Sequence, residues 1–244
     1  MTKNIAHRGF SKQFPENTML AFRGAVEAGC DGIELDVQLT KDGEPVIIHD
    51  ENLRRTTGRS GYVKDFTLDE LRRFDAGNGC DGTLGFNPVP TLREYFEYVK
   101  DKDIFTNIEL KNSVFSYDGM EEKTIGLIRR FGLTDRVLFS SFNHFSMLKC
   151  KKLSPSSKCA CLTSSWLIGA GAYAKKAGLD FINPHYTFLT EENIRELNEN
   201  SIGAQAWTVD SEEDMRRFAD LDIFAVITNR PDKMKEILDE KRRG

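Results

Sequence analysis

Short apolar, β-branched runs alternate with segments of helical periodicity along almost the whole chain, and this alternation limits the fold more than any other feature. The runs read as strands are Asn4–Ala6, Gly32–Thr40, Pro45–His49, Ile104–Lys111, Val137–Ser141, Lys158–Thr163, Phe181–Asn183, Ala204–Val209 and Phe224–Thr228. Between them, Leu20–Ala28, Leu92–Val99, Glu121–Phe131, Glu191–Glu199 and Ser211–Ala219 carry apolar residues at i, i+3 and i+4, the spacing of one helix face. Thr190 before Glu191 and Glu192, and Ser211 before Glu212 to Asp214, supply N-caps followed by acids on a first turn. Repeated strand and helix units demand a parallel sheet, and about eight of them in 244 residues predict an α/β chain closed into a (β/α)8 barrel.

Nine runs are one too many for that barrel. The surplus lies in "TKDGE", Thr40 to Glu44, where Asp-Gly between two strands signals a hairpin. Pro45–His49 is therefore expected to run antiparallel to Gly32–Thr40, leaving eight parallel strands. With Lys41 to Glu44 as the turn, Thr40 pairs with Pro45 and His49 falls opposite Asp36. From Asp50 to about Pro90 the rhythm breaks into a polar, Gly-rich segment with one helical run near Leu68–Phe74. It is too long for an ordinary loop, so residues 50–90 are expected to form a small inserted subdomain within one domain of residues 1–244. Phe66, Leu68, Leu71, Phe74, Leu84 and Phe86 would be its own small core.

Composition excludes several functions. With 39% hydrophobic residues the chain can bury a good core, and its net charge of -4, from 34 basic and 38 acidic residues, offers no general attraction to nucleic acid or an anionic bilayer. Lys149, Lys151, Lys152 and the run from Lys241 to Arg243 read as solvated helix ends. "MTKNIAHRGF" is too short an apolar run for a signal peptide and no 18 consecutive apolar residues occur, so a cytoplasmic protein without a transmembrane segment is expected. Five cysteines, at positions 30, 80, 150, 159 and 161, fit neither a disulfide framework nor paired CxxC zinc spacing. Cys159 and Cys161 read as small buried hydrophobes.

The chemistry begins at "GIELDVQL". Side chains alternate along a strand, so Ile33, Leu35 and Val37 face the helices while Glu34 and Asp36 face the barrel interior. "NIELKN" repeats the pattern, sending Glu109 and Lys111 inward. A single inward acid is usually paired, but three acids against one lysine are best neutralised by an oxygen-ligated divalent cation, and Mg2+ or Ca2+ suits carboxylates. His7 ends the first strand at the face where barrel active sites form, and the hairpin brings His49 to the same place. Imidazoles titrate near neutrality and transfer protons, so these two are candidate catalytic residues, whereas His144 and His185 read as structural. Arg8 beside His7 is a planar, permanently charged fork suited to phosphate or carboxylate. A cation, an arginine, a lysine and two histidines suit an anion whose charge changes during reaction, most simply a phosphate ester.

These residues sit in motifs that resemble the glycerophosphodiester phosphodiesterases, TIM-barrel relatives of the phosphatidylinositol-specific phospholipases C. The motifs are "AHRG", "PENT", "GIELDVQLTKDGEPVIIHD", "RTTG", "DAG" at Asp75 to Gly77, "PTL" at Pro90 to Leu92, "IELK", "SSF" and "AWTVD", in order over nearly the whole chain. The resemblance implies a divalent metal held by Glu34, Asp36 and Glu109, His7 and His49 as the acid/base pair, and Arg8 and Lys111 near the phosphate. It also implies that residues 50–90 sit over the barrel mouth. The implied reaction is attack by a neighbouring glycerol hydroxyl on phosphorus, giving a cyclic phosphate that water opens to glycerol 3-phosphate. The partner is then a small-molecule glycerophosphodiester, and the chain itself is compatible with a homodimer.

Some positions keep two readings. Pro15 to Thr18 opens the first helix; either Glu16 and Asn17 bond the site, or the stretch serves helix capping by Asn17 or Thr18. Trp207, inward by alternation from Val209, and Phe142, just past a strand end, are walls for the glycerol or alcohol, or core. Asn229 in "ITNRPD" stands where many relatives carry Asp and is expected to affect loop structure or substrate contacts more than activity. Rival functions are a phospholipase D type enzyme cleaving lysophospholipids, a catalytically silent barrel binding polyol phosphates, and a metal-assisted lyase or aldolase. The last leaves the two histidines without a purpose.

Overall fold

In the computed structural model, which describes residues 1–78, 82–165 and 167–243, eight parallel strands close on themselves. In chain order the elements are β1 (Lys3–His7), α1 (Met19–Glu27), β2 (Gly32–Leu39), β3 (Pro45–Ile47), α2 (Arg54–Thr57), α3 (Leu68–Leu71), α4 (Leu92–Val99), β4 (Phe105–Leu110), α5 (Met120–Arg130), β5 (Val137–Ser141), α6 (His144–Leu153), β6 (Lys158–Thr163), α7 (Ala170–Lys176), β7 (Phe181–Pro184), α8 (Glu191–Glu199), β8 (Gly203–Ala206), α9 (Glu212–Asp220), β9 (Ala225–Thr228) and α10 (Pro231–Arg243). The parallel order runs β1, β2, β4, β5, β6, β7, β8, β9 and back to β1, and β3 pairs antiparallel with β2. This is the (β/α)8 barrel expected from the alternation. Among the described residues no helix is long and apolar enough to cross a membrane.

The hairpin register differs by one residue from the sequence count. Leu39 pairs with Pro45 and Val37 with Ile47, because Thr40 donates its backbone N–H to the Glu44 carbonyl and only Lys41, Asp42 and Gly43 form the turn. Gly43 has φ +81°, the left-handed third residue that such three-residue turns need. Ile48 then donates to the Asp36 carbonyl at 3.0 Å, so His49 lies one step beyond Asp36 instead of opposite it.

Alternation sorts the two faces of the barrel wall. Ile33, Leu35, Val37, Ile108, Leu110, Phe139, Cys159 and Cys161 point outward into the main core with Phe22, Tyr95, Phe96 and Phe218 of the helices. Burying such a side chain contributes about 1.5–3 kcal/mol, which makes a one-residue slip of any strand costly. Inside, Ile5, Leu138, Ala160, Phe181, Ala225 and Ile227, with Phe105 and Phe224, form an apolar floor. The polar residues of the strands gather above that floor, at the C-terminal mouth.

Helix starts follow local hydrogen bonding. Thr91 and Thr190 form capping boxes with Glu94 and Asn193, and Ser211 caps α9 through the Asp214 N–H. In the 50–90 segment, Leu53, Val63, Leu71, Ala76 and Val89 form a separate buried cluster with Val46 and Ile48, packed by Phe66, Leu68 and Phe74. Leu84 and Phe86 do not join it; Phe86 is 60% exposed. The segment also contains α2, which its polar Arg54–Thr57 sequence hides from periodicity. Cys80 lies outside the described residues; Cys30, Cys150, Cys159 and Cys161 are free and buried, their thiols held well above the usual range by burial.

Candidate active site

Strand register assembles the acids. Parallel pairing sets His7 beside Glu34 and Asp36 beside Glu109, on the inward side of adjacent strands. One carboxylate oxygen from each of Glu34, Asp36 and Glu109 lies within 4.8 Å of the others, and all three residues are buried. Three negative charges so close out of water repel strongly. Burial and then the charge of Asp36 push the Glu109 carboxyl up to about 7 and raise Glu34 well above the carboxylate range. Asp36 takes the opposite direction: burial would raise it, but Arg8, His49 and Lys111, with the Asn17 amide, hold it far below its ordinary value.

Two cations answer part of this charge. Lys111 donates to Glu109 Oε1 at 2.9 Å and stands 3.9 Å from Asp36 Oδ1. Arg8 has its Nε 3.4 Å from Asp36 Oδ2, donates from Nη1 to Glu16 Oε1 at 2.9 Å, and gives its backbone N–H to Glu34 Oε2 at 3.1 Å. Arg8 and Gly9 both adopt positive φ, +54° and +79°, and a Cβ on Gly9 would lie 2.7–2.8 Å from Ala21 of α1. The close approach requires glycine there. Thr18 caps α1, while Asn17 donates to Asp36 Oδ2 at 2.8 Å and Glu16 reaches Arg8, so "PENT" both opens the helix and supports the site.

Each histidine is held on its Nδ1 side. His7 Nδ1 donates to Asn229 Oδ1 at 2.7 Å and its Nε2 lies 3.9 Å from Glu34 Oε2. Burial and then Arg8 push its pKa down to about 4, so the ring is neutral near pH 7. His49 Nδ1 donates to Asp50 Oδ1 at 2.6 Å, and its Nε2 accepts from Lys111 at 3.2 Å. Asp50 in turn is held by Arg55 of α2, which also donates to Glu16. His144 instead bonds Tyr173 and the Leu162 carbonyl, and His185 the Thr187 hydroxyl, both outside this group.

His7, Arg8, Glu34, His49 and Glu109 line a recess of about 430 Å³ whose other wall is Phe142, Leu162, Trp207 and Ile227. Phe142 and Trp207 meet edge to face at 5.8 Å, and the Trp207 indole N–H donates to the Asn183 carbonyl at 2.8 Å. The structure thus brings Glu34, Asp36, Glu109, His7, His49, Arg8 and Lys111 together, with Phe142 and Trp207 at the edge of the same recess.

Sequence reasoning missed the supports. Asn229, expected to matter for the loop or substrate contacts, bonds His7 directly, and its Nδ2 donates to Asp210 Oδ2 at 2.6 Å. Asp50 and Arg55 fall within the motifs ending in "IIHD" and beginning "RTTG", but the sequence reading gave neither a role. Asn229 and Asp210 both follow strand ends at the barrel mouth, a position that could have flagged them.

The donor set fits a hard divalent cation. Asp36 Oδ1 is buried with no hydrogen-bond partner, and the two raised carboxyls mark charge that Arg8 and Lys111 do not cancel. Among the described residues no other group of histidine, cysteine or acid side chains has this arrangement.

Residues 7–233 match the model of the glycerophosphoryl diester phosphodiesterase family. This chain belongs to that family. A glycerophosphodiester phosphodiesterase of Caldanaerobacter subterraneus is 43% identical over 230 residues, covering 94% of this chain and 95% of that protein. One from Bacillus altitudinis is 41% identical over 245 residues, covering 99% and 100%. A phosphodiesterase from Oleispira antarctica, solved with its product sn-glycerol 3-phosphate, superposes with a TM-score of 0.88 at 29% identity over 96% of each chain. As a member of the family the chain is a glycerophosphodiester phosphodiesterase.

Proposed function

We propose that this phosphodiesterase hydrolyses glycerophosphodiesters such as glycerophosphocholine or glycerophosphoethanolamine to glycerol 3-phosphate and an alcohol, with a divalent cation, Mg2+ or Ca2+, held by Glu34, Asp36 and Glu109. The observation that carries the reading is one recess lined by His7, Arg8, His49, Glu34 and Glu109 together, with Asp36 clustered beside the two glutamates. When bound, the cation supplies a Lewis acid to the phosphoryl oxygens.

The chain's own residues do the rest. Arg8 in the recess wall, and Lys111 bonded to Glu109 and His49 of that wall, set positive charge where a phosphoryl group enters, and Trp207 and Phe142 give the glycerol or alcohol an apolar wall. His7 and His49 divide the proton transfers: one takes the proton of the glycerol hydroxyl next to the ester as its oxygen attacks phosphorus, and the other protonates the departing alcohol. A cyclic phosphate results, and with exchanged roles the same two rings let water open it. Asp50 and Arg55 hold His49, so residues 50–90, read as the subdomain over the mouth, take part in the site. We read the assembly as cytoplasmic, working as a monomer or homodimer on small molecules.

A second substrate class is favoured by a neighbouring feature. A recess of about 560 Å³ lined by Phe142, His144, Phe145, Leu148 and Tyr173 shares Phe142 with the catalytic recess, and Phe145 is 83% exposed. An acyl chain on the glycerol would lie there, as in a lysophospholipid substrate of a phospholipase D type reaction.

The test is 31P NMR of glycerophosphocholine and lysophosphatidylcholine, each mixed with protein and Mg2+ or Ca2+. Glycerol 3-phosphate preceded by a transient cyclic phosphate supports the reading, and faster turnover of the lysolipid supports the second class. Phosphocholine as product, from cleavage of the other P–O bond, would overturn it, as would binding without turnover, the result for a silent barrel.

A further inference from the structure

The chain of hydrogen bonds behind His7 fixes more than its position. Asp210 is a carboxylate, and its Oδ1 already accepts from the Asn229 backbone N–H at 2.8 Å and from the Thr228 hydroxyl at 3.0 Å. Its Oδ2 lies 2.6 Å from the side-chain amide of Asn229. A carboxylate can only accept, so the amide must turn its NH2 toward Asp210. The amide oxygen is then left to face His7 Nδ1 at 2.7 Å, with the Ser11 hydroxyl also at 2.7 Å. An amide oxygen can only accept, so His7 must carry its proton on Nδ1 and present the Nε2 lone pair to the recess.

We propose that Asp210 and Asn229 are positioning residues that select this tautomer, and that His7 therefore enters the first step as the proton acceptor. This rests on the phosphodiesterase reading for its catalytic consequence, but the tautomer itself can be read without turnover. His49, its ring turned by Asp50, protonates the leaving alcohol only after its Nε2, which accepts from Lys111 here, has itself gained a proton. The logic is that of an amide relay: charge on Asp210 sets the amide, and the amide sets the imidazole. Neither Asp210 nor Asn229 is among the lining residues of the recess, so their effect on catalysis runs through the ring.

The relay makes an inversion possible. In Asp210→Asn the new amide keeps its oxygen on the Asn229 N–H and Thr228, and turns its NH2 toward Asn229. Asn229 must then flip, present its own NH2 to His7 Nδ1, and force the proton to Nε2. Adding Asn229→Asp to that variant restores an acceptor. The amide introduced at position 210 now donates its NH2 to the carboxylate introduced at position 229, and that carboxylate accepts from His7 Nδ1.

The experiment combines 15N-histidine NMR of the metal-free protein at neutral pH with steady-state kinetics on glycerophosphocholine. The His7 signals are identified among those of the four histidines by their loss in His7→Gln. The wild type is expected to show a protonated Nδ1 and a bare Nε2 at His7, and Asp210→Asn the reverse pattern. The same variant is expected to lose about 100-fold or more in kcat with KM within about twofold, and the double variant to recover the Nδ1–H pattern and most of kcat. If Asp210→Asn fails to fold, Asn229→Leu serves: a mixture of tautomers with lowered kcat supports the proposal. Wild-type tautomer and kcat in the folded single variant, or a double variant that recovers stability without the tautomer, would overturn it. Correct tautomers throughout in a protein that never turns over the diester would leave the relay standing and refute the phosphodiesterase reading instead.

Discussion

Arg55 and Asp50 are joined by two hydrogen bonds, 2.6 Å from Nε to Oδ2 and 3.0 Å from Nη2 to Oδ1, and the same guanidinium makes two more to Glu16. One side chain of the 50–90 segment thereby supports both the carboxylate that turns His49 and the one that holds Arg8. A lysine cannot reproduce this planar fork. Arg55→Lys should therefore reduce kcat about 10-fold to 100-fold while shifting the melting temperature by less than about 3 °C, since the side chain is 48% exposed. Kinetics and thermal melts of the same preparation check this; an unchanged kcat would separate the segment from the chemistry.

Glu34 and Asp36 should respond in opposite senses when no metal is present. Glu34, raised by burial and by its neighbours, costs the fold when ionised, whereas Asp36 is stabilised by Arg8 and Lys111. Glu34→Gln should raise the metal-free melting temperature by a few degrees, roughly the gain of about 1 kcal/mol. Asp36→Asn leaves two half-buried cations short of a partner and should cost on the order of 3 kcal/mol. Both should lose the rise in melting temperature that divalent cations give the wild type, which corresponds to a stabilisation of about 2.7 kcal/mol at 100 times Kd. Calorimetry with EDTA, Mg2+ or Ca2+ reads all of these.

Asp50 gives a pH window. Burial would raise its carboxyl, but the Arg55 and His49 hydrogen bonds bring it down to about 2. A carboxylate lower when folded than unfolded stabilises the fold fully above the unfolded value near 4, and that stability fades as pH falls toward 2. The stability difference between wild type and Asp50→Asn should thus be constant from about pH 7 to 5 and shrink between about pH 4 and 2. Urea melts across that range check it; a difference that grows on acidification would reverse the sign.

Gly9 and Gly43 both sit at positive φ, yet their neighbours predict different costs. A Cβ at Gly43 meets the end of the flexible Lys123 side chain, so Gly43→Ala should cost about 1 kcal/mol, mostly from the backbone. At Gly9 the Cβ meets Ala21 backbone, so Gly9→Ala must push α1 away from Arg8. A loss of about 2–4 kcal/mol and a fall in activity are expected for Gly9→Ala alone, read by urea melts and turnover of the two variants side by side.

The barrel was legible because period-two and period-3.6 patterns change places so regularly, and the inward acids because "IELD" and "IELK" put charge on the face that alternation sends inside. The hairpin count failed by one because Asp-Gly suggests a turn without fixing its length; a three-residue turn ending on Gly43 was equally open. Asp210, Asn229, Asp50 and Arg55 were not legible as a set, since each is an ordinary polar residue of a loop until closure of the barrel brings residue 7 to residue 229. Leu84 and Phe86 looked like core by composition alone, and nothing in a short polar segment says which apolar side chains it can cover.

The most direct measurement is release of glycerol 3-phosphate from glycerophosphocholine and glycerophosphoethanolamine with Mg2+, with Ca2+ and with EDTA, for the wild type, His7→Ala and Glu34→Ala. Release that requires the divalent cation and falls by at least about 100-fold in both variants, which remain folded, is the result predicted here. Release that persists in EDTA, or that survives either substitution, would contradict the assignment of the acidic cluster and His7 to the reaction.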